Sequence, residues 1–208
     1  MACEIVGLFP TPLMWVDTAI DAEMAAQLVG RFKSDATLVN SQSTLLAHTE
    51  LAALGGDALL EKLNQQISPS IVSFGEVLFG EKLEWTVKEM WVNVLQNGGR
   101  QAMHNHANSF VSGIIYLTRS HTSANTVFIK SPRGHDFVFN NCRIDTTTSS
   151  YNADKWVSPD PRPGDMVLFP SYLLHEIPIN EGSQRITLAF NAIPNRLDSW
   201  GYSIQFSG

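Results

Sequence analysis

The sequence predicts an α+β protein, mainly β, in which N-terminal packing helices lie on a jelly-roll barrel. Apolar residues recur every three to four positions before residue 85; after it the period shortens towards two and β-branched and aromatic residues gather in short runs. The 208 residues are 44% hydrophobic and 16% charged, enough for one well-buried core. Residues 1–208 are therefore expected to form a single domain, with 1–84 mostly helical and packed on a core of 85–208.

In the first helix, Ile20, Met24, Leu28 and Phe32 repeat until the polar Lys33-Ser34-Asp35, and Thr18 with Asp21 reads as a capping box. In the second, Leu60, Leu63, Ile67, Ile71, Phe74 and Leu78 trace one apolar face, which Pro69 is expected to kink or split. Strands follow at 85–95, 110–118, 126–130, 165–170, 184–193 and 202–206, read as a meander. Turn chemistry separates them at Asn97-Gly98-Gly99, Ser131-Pro132-Arg133-Gly134, Pro159 to Gly164 and Asn180-Glu181-Gly182. The polar stretch 134–162 is too long for a simple connection and reads as a lid or binding loop.

Composition narrows the partners. A formal charge of −6 without a Lys/Arg run argues against a phosphate backbone, so nucleic acid is not an expected partner. Cys3 and Cys142 offer neither a disulfide framework nor a CxxC metal pattern, and both are expected as free thiols. The N-terminus has an acidic residue and an early proline where a signal peptide needs a basic start, and no apolar run is long enough to span a bilayer. The chain is expected to be cytoplasmic, with no membrane partner.

Chemistry enters with His104-Asn105-His106. On a strand, residues i and i+2 share a face, so His104 and His106 would present two imidazoles together while Asn105 points away. A third ligand is expected from His175, beyond the buried-strand pattern Val167-Leu168-Phe169-Pro170. Imidazole suits iron, zinc, copper or nickel, so the ligands leave the metal open. His48, His121 and His135 lack such company and are read as surface or loop residues.

Arg185 begins the run Arg185-Ile186-Thr187-Leu188-Ala189-Phe190-Asn191, where Arg185 and Thr187 share one face and Ile186, Leu188 and Phe190 the other. A guanidinium facing a barrel interior needs an anion, and a carboxylate gripped through paired hydrogen bonds with help from the Thr187 hydroxyl would satisfy it. A structural salt bridge to Asp or Glu, or a solvated arginine at a strand start, is the alternative.

Together these residues resemble the iron(II)/2-oxoglutarate-dependent oxygenases, in particular a bacterial and phage branch with a His-x-His-x-x-Ser-x-x-Ser-Gly stretch and a later Phe-Pro-Ser-x-x-x-His. Here these are residues 104–113 and 169–175, followed by 185–191; Leu8-Phe9-Pro10-Thr11-Pro12 and Trp91-Val92-Asn93 also fit. The resemblance implies a double-stranded β-helix with iron at its mouth. It maps the distal histidine onto His175, the grip on the far carboxylate of 2-oxoglutarate onto Arg185 with Thr187, and further pocket contacts onto Tyr116 and Asn93. The implied cofactors are Fe(II), 2-oxoglutarate and O2, with oxidative decarboxylation to succinate coupled to oxidation, hydroxylation in the first instance, of a small molecule or side chain.

One position departs from the family's pattern. Most of the superfamily completes its triad with Asp or Glu, where this chain has His106, leaving either three histidines or His106 and His175 with Asn108. The first is favoured, because an amide oxygen is a weak ligand beside imidazole. Substrate recognition is expected from Arg133, Arg143, Tyr151 and Trp156 around the long loop. The competing reading is a cupin-type dioxygenase or isomerase without 2-oxoglutarate, or a non-enzymatic jelly roll. Gly98 before the histidine pair and Gly164 and Pro170 before His175 fit it, whereas Phe110 and Val111 stand where its glutamate belongs.

Overall fold

The structure, a computed structural model, describes residues 2–39, 41–51, 56–130 and 143–206. In chain order the elements are β1 (Met14–Val16), α1 (Ala22–Phe32), β2 (Ser43–His48), α2 (Ala58–Phe79), β3 (Trp85–His104), β4 (Val111–Tyr116) and β5 (Val127–Ile129). They continue with β6 (Lys155–Val157), β7 (Met166–Pro170), β8 (Leu174–Ile177), β9 (Arg185–Pro194), β10 (Arg196–Ser199) and β11 (Tyr202–Gln205).

The helices form for the reasons the sequence gives, with two corrections. The N-cap of α1 is Asp21 alone, whose carboxylate accepts from the Met24 amide at 2.7 Å; Thr18 lies outside the helix at φ 53° and donates its own amide to Asp165. Helix α2 starts on Asp57, ends on a left-handed Gly80, and runs through Pro69 without splitting. Pro69 is on the exposed face, where water can satisfy the carbonyl freed by its missing N–H. Among the described residues no helix is long and apolar enough to cross a membrane.

The strands form one curled antiparallel sheet in the order β1-β7-β4-β9-β3-β8-β5-β6, with β2 also on β3, and β10 and β11 form a separate hairpin. The crossing order is that of a double-stranded β-helix, not a meander. Two strands, β1 and β2, come from the part read as helical and join the sheet. Asn97-Gly98-Gly99 is not a turn: β3 runs through it, pairing with β9 up to Leu95 and with β8 from Gln101 onwards. The two glycines make the corner at which one strand passes between the halves of the barrel. Gly98 has φ 76°, and a Cβ on Gly99 would sit 2.7 Å from Leu95 Cδ1 and 2.8 Å from the Leu45 carbonyl. Asn180 closes the corner, its carbonyl accepting from the Gly98 amide at 2.7 Å and its amide donating to Gly99 at 2.8 Å.

Alternation divides the core between the faces of the sheet. Outward, Met90, Val92, Val94, Ile186, Leu188 and Phe190 pack with Met24, Leu28, Leu63, Ile67, Ile71 and Phe74 of the helices. A fully buried Phe stabilises by about 1.5–3 kcal/mol, so Phe74 and Phe190 are principal anchors of the helices on the sheet. Inward, Ile114, Tyr116, Phe128, Val167 and Phe169 form a second, smaller cluster. The inward face therefore has room for polar groups.

Candidate metal centre and anion pocket

His104 is the last residue of β3 and stands opposite His175 in the register of β3 and β8. His106 lies two residues beyond the end of β3, so the shared face of a strand does not account for it. Its backbone does: the His106 amide donates to the Ser171 carbonyl at 2.9 Å, folding the segment back over the barrel mouth. His175 likewise belongs to its own strand, β8, and not to the end of 167–170. The three rings have centroids 4.2, 5.1 and 5.3 Å apart, and one nitrogen from each lies within 4.8 Å of the others.

Two of the tautomers follow from the backbone. His104 Nδ1 is 2.9 Å from the Ala102 carbonyl and His175 Nδ1 is 3.0 Å from the Leu173 carbonyl. A carbonyl can only accept, so each Nδ1 carries the proton and each Nε2 keeps its lone pair for a metal. Gln101 Nε2 lies 3.4 Å from His104 Nε2, an amide beside that lone pair. Trp91 flanks His106 at 5.7 Å, and Phe169 meets His175 edge-on at 4.8 Å. Burial and the neighbouring His104 push His106 down to about 4 and His175 down to about 3. His104 is also lowered by burial, against which the Ala102 bond pulls. All three rings are thus held in the neutral form that metals bind.

The second feature lies deeper along the same inward face. Arg185 is buried at 3% exposure, and among the described residues no carboxylate lies within ion-pair distance of it. Its partners are hydroxyls: Nε donates to Ser120 Oγ at 3.2 Å and Nη2 to Thr126 Oγ1 at 3.3 Å, and its Cζ stands 5.3 Å from the Tyr116 ring centre. Tyr116 Oη and Thr126 Oγ1 are 3.0 Å apart. Burial lowers Arg185 from its ordinary value while Tyr116 pulls the other way. The salt-bridge and solvated readings of Arg185 are thereby set aside. Asn93, Thr187 and Tyr116, all buried, form one rung across β3, β9 and β4, next to the rung holding Arg185. A buried cation ringed by hydroxyls and an aromatic ring is an environment suited to an anion.

The sequence reading passed over Thr126 and Ser120. The run Thr126-Val127-Phe128 signals Thr126, since alternation puts it on the face of the buried Phe128; Ser120 carries no such signal. Of the expected recognition residues, Arg133 is outside the described part, Arg143 is paired with Asp145, and Tyr151 is exposed. Trp156 lies on β6, a strand within the stretch read as one loop, and packs at 5.8 Å on Phe128, which is 6.1 Å from the His175 ring. His48 is in β2 and half-buried, with Nδ1 bonded to the Thr49 carbonyl, and so is not a loop residue; His121 is an exposed cap, and His135 and Cys142 are outside the described part. Cys3 is a free, exposed thiol.

Residues 89–191 match the protein family described as "Putative 2OG-Fe(II) oxygenase". No curated protein matches the chain by sequence. Among solved structures, the non-heme alpha-ketoglutarate-dependent epimerase SnoN from nogalamycin biosynthesis is similar with a TM-score of 0.64 at 14% identity, over 89% of this chain and 80% of that one. HygX from Streptomyces hygroscopicus, with nickel and 2-oxoglutarate bound, gives 0.62 at 10% identity over 88% and 83%. A Pseudomonas putida prolyl-4-hydroxylase gives 0.59 at 12% identity over 88% and 92%.

Proposed function

Because the chain belongs to the 2OG-Fe(II) oxygenase family, we propose that His104, His106 and His175 hold its Fe(II) and that Arg185 holds the far carboxylate of 2-oxoglutarate. The observation that carries this reading is the pairing of two features on one barrel face: three imidazoles gathered around a common point, and a buried guanidinium with no described carboxylate within ion-pair distance. A metal fits the first, since the Nδ1–H bonds of His104 and His175 free each Nε2. A dicarboxylate fits the second, since one carboxylate can pair with Arg185 while its other end remains free to reach the metal.

When bound, iron, 2-oxoglutarate and dioxygen supply an oxidative decarboxylation that yields succinate and carbon dioxide and oxidises the substrate. The protein's part is binding and orientation. Thr126 and Ser120 accept from Arg185 and hold its fork towards the pocket, with Tyr116 beneath it. Thr187 and Asn93 line the wall beside it. Trp91 packs apolar surface beside His106, and Phe128 and Phe169 beside His175. Three uncharged ligands leave the metal's dipositive charge undiminished, which favours a dianionic co-substrate.

We assign hydroxylation of a small molecule or an amino-acid side chain as the outcome; the prolyl-4-hydroxylase among the structural neighbours supports it. The test is succinate release when protein, Fe(II), 2-oxoglutarate and O2 are combined, run beside a mass-shift screen of cell extract. Succinate with a +16 Da product supports the assignment; protein that binds iron and releases no succinate with any extract contradicts it.

A further inference from the structure

His106 is the one histidine of the three that no strand carries. Its backbone amide is held by the Ser171 carbonyl, and the segment that carries it is joined to the sheet by a chain of side chains that the mechanism above does not use. Ser109 Oγ donates to Ser171 Oγ at 2.8 Å; Ser171 and Ser112 hydroxyls are 2.9 Å apart; Ser112 Oγ donates to Asn191 Oδ1 at 2.7 Å; and Asn191 Nδ2 donates to Glu89 Oε1 at 2.7 Å. Ser112, Asn191 and Glu89 are neighbours across β4, β9 and β3, so the sheet register fixes that end of the chain.

The direction of the bonds is forced. A carboxylate only accepts, so the Asn191 amide must turn its NH2 to Glu89 and its oxygen to Ser112. Ser112 then spends its only proton on Asn191 and must accept from Ser171, which in turn accepts from Ser109. Every donor points towards Glu89. The backbone ties the same two segments together, with the His106 amide on the Ser171 carbonyl at 2.9 Å and the Ser171 amide on the Phe110 carbonyl at 3.0 Å.

We propose that Ser171, with Ser109 and Ser112, positions His106: the one-way hydroxyl chain ending on Glu89 fastens the segment after β3 to the turn between β7 and β8, which leads into His175. This rests on the reading of His106 as a metal ligand. Fastening both segments to one serine makes the placement of His106 relative to His175 a property of the network, and partners of this kind contribute to metal affinity by fixing ligand orientation.

The test uses the full chain and Co(II) as the probe, reading both affinity and the ligand-field absorption spectrum. Ser171→Ala and, as a milder second variant, Ser109→Ala are each expected to weaken Co(II) by about 10–100-fold and to alter the spectrum. Ser68→Ala, which removes a hydroxyl bond to the Asn64 carbonyl in α2, is expected to leave both unchanged. Loss of thermal stability in the network variants with Co(II) affinity and spectrum as in the wild type overturns the proposal and makes the network purely structural. His106→Ala separates the two levels: unchanged Co(II) binding there removes His106 from the ligand set and overturns this proposal together with the reading it rests on, whereas lost binding with wild-type behaviour in Ser171→Ala overturns the positioning alone.

Discussion

His104 and His175 are register partners on two antiparallel strands, their rings 4.2 Å apart. Backbone pairing sets this relationship, so the two imidazoles are brought together by the fold before any metal arrives. Replacing His175 with Ala is therefore expected to leave the far-ultraviolet circular dichroism unchanged and to weaken Co(II) by on the order of 100-fold or more, beyond the loss from an outer-shell partner. Titration of Co(II) into the two proteins checks it, and equal affinities would remove His175 from the site.

Arg185 makes an opposite prediction for stability and for binding. A buried cation with no described carboxylate beside it costs stability in the ligand-free protein, and an apolar residue of similar length removes that cost. Arg185→Met is expected to unfold at the same temperature as the wild type or higher when free of ligand. Saturating 2-oxoglutarate should raise the melting temperature of the metal-loaded wild type and not that of the variant. A large loss of stability in ligand-free Arg185→Met would mean that Arg185 is already paired.

The pH dependence follows from the histidines. Burial holds His106 at about 4 and His175 at about 3, below the ordinary 6.5. As pH falls through 6.5 the unfolded chain takes up protons that the folded chain refuses until about 4 and then 3. The unfolded state binds more protons in that window, so stability present above 6.5 is lost on acidification. Chelator-treated protein should show a melting temperature that declines from pH 6.5 towards 4, and His175→Gln should flatten the decline. A flat wild-type profile would contradict the buried, neutral state of the rings.

Gly113, next to Ser112 in the histidine-containing motif, serves packing. A Cβ there would run into the Phe190 ring, which is fully buried between sheet and helices. Gly113→Ala is expected to cost about 1–3 kcal/mol through overpacking, and Phe190→Leu in the same chain should recover part of that loss. Urea denaturation of the single and double variants measures it. Additive losses would show that the two sites do not meet.

What the sequence made legible was what local pattern controls. Spacing of three to four finds α1 and α2, and alternation finds the two faces of β9, which puts Arg185 and Thr187 together before any contact is known. The misreadings share one cause, because each depended on where a distant strand comes to lie. Gly98-Gly99 resembles a hairpin turn unless it is known that β8 takes over from β9 beyond it. β8 itself is four residues long and becomes a strand only between β3 and β5. His106 joins the other two rings although no strand face carries it, since the Ser171 carbonyl directs its backbone. Thr126 and Ser120 gain their meaning only from the guanidinium that the sheet brings above them.

The most direct measurement is an anaerobic calorimetric titration of 2-oxoglutarate into Fe(II)-loaded protein, repeated with Arg185→Met and with the metal removed. The account predicts one site per chain in the metal-loaded wild type, with binding weakened on the order of 100-fold in Arg185→Met as charge-assisted hydrogen bonds are lost, and much reduced without metal. Binding that is absent from the metal-loaded wild type, or as tight in Arg185→Met as in the wild type, would contradict a site built from three histidines and this arginine.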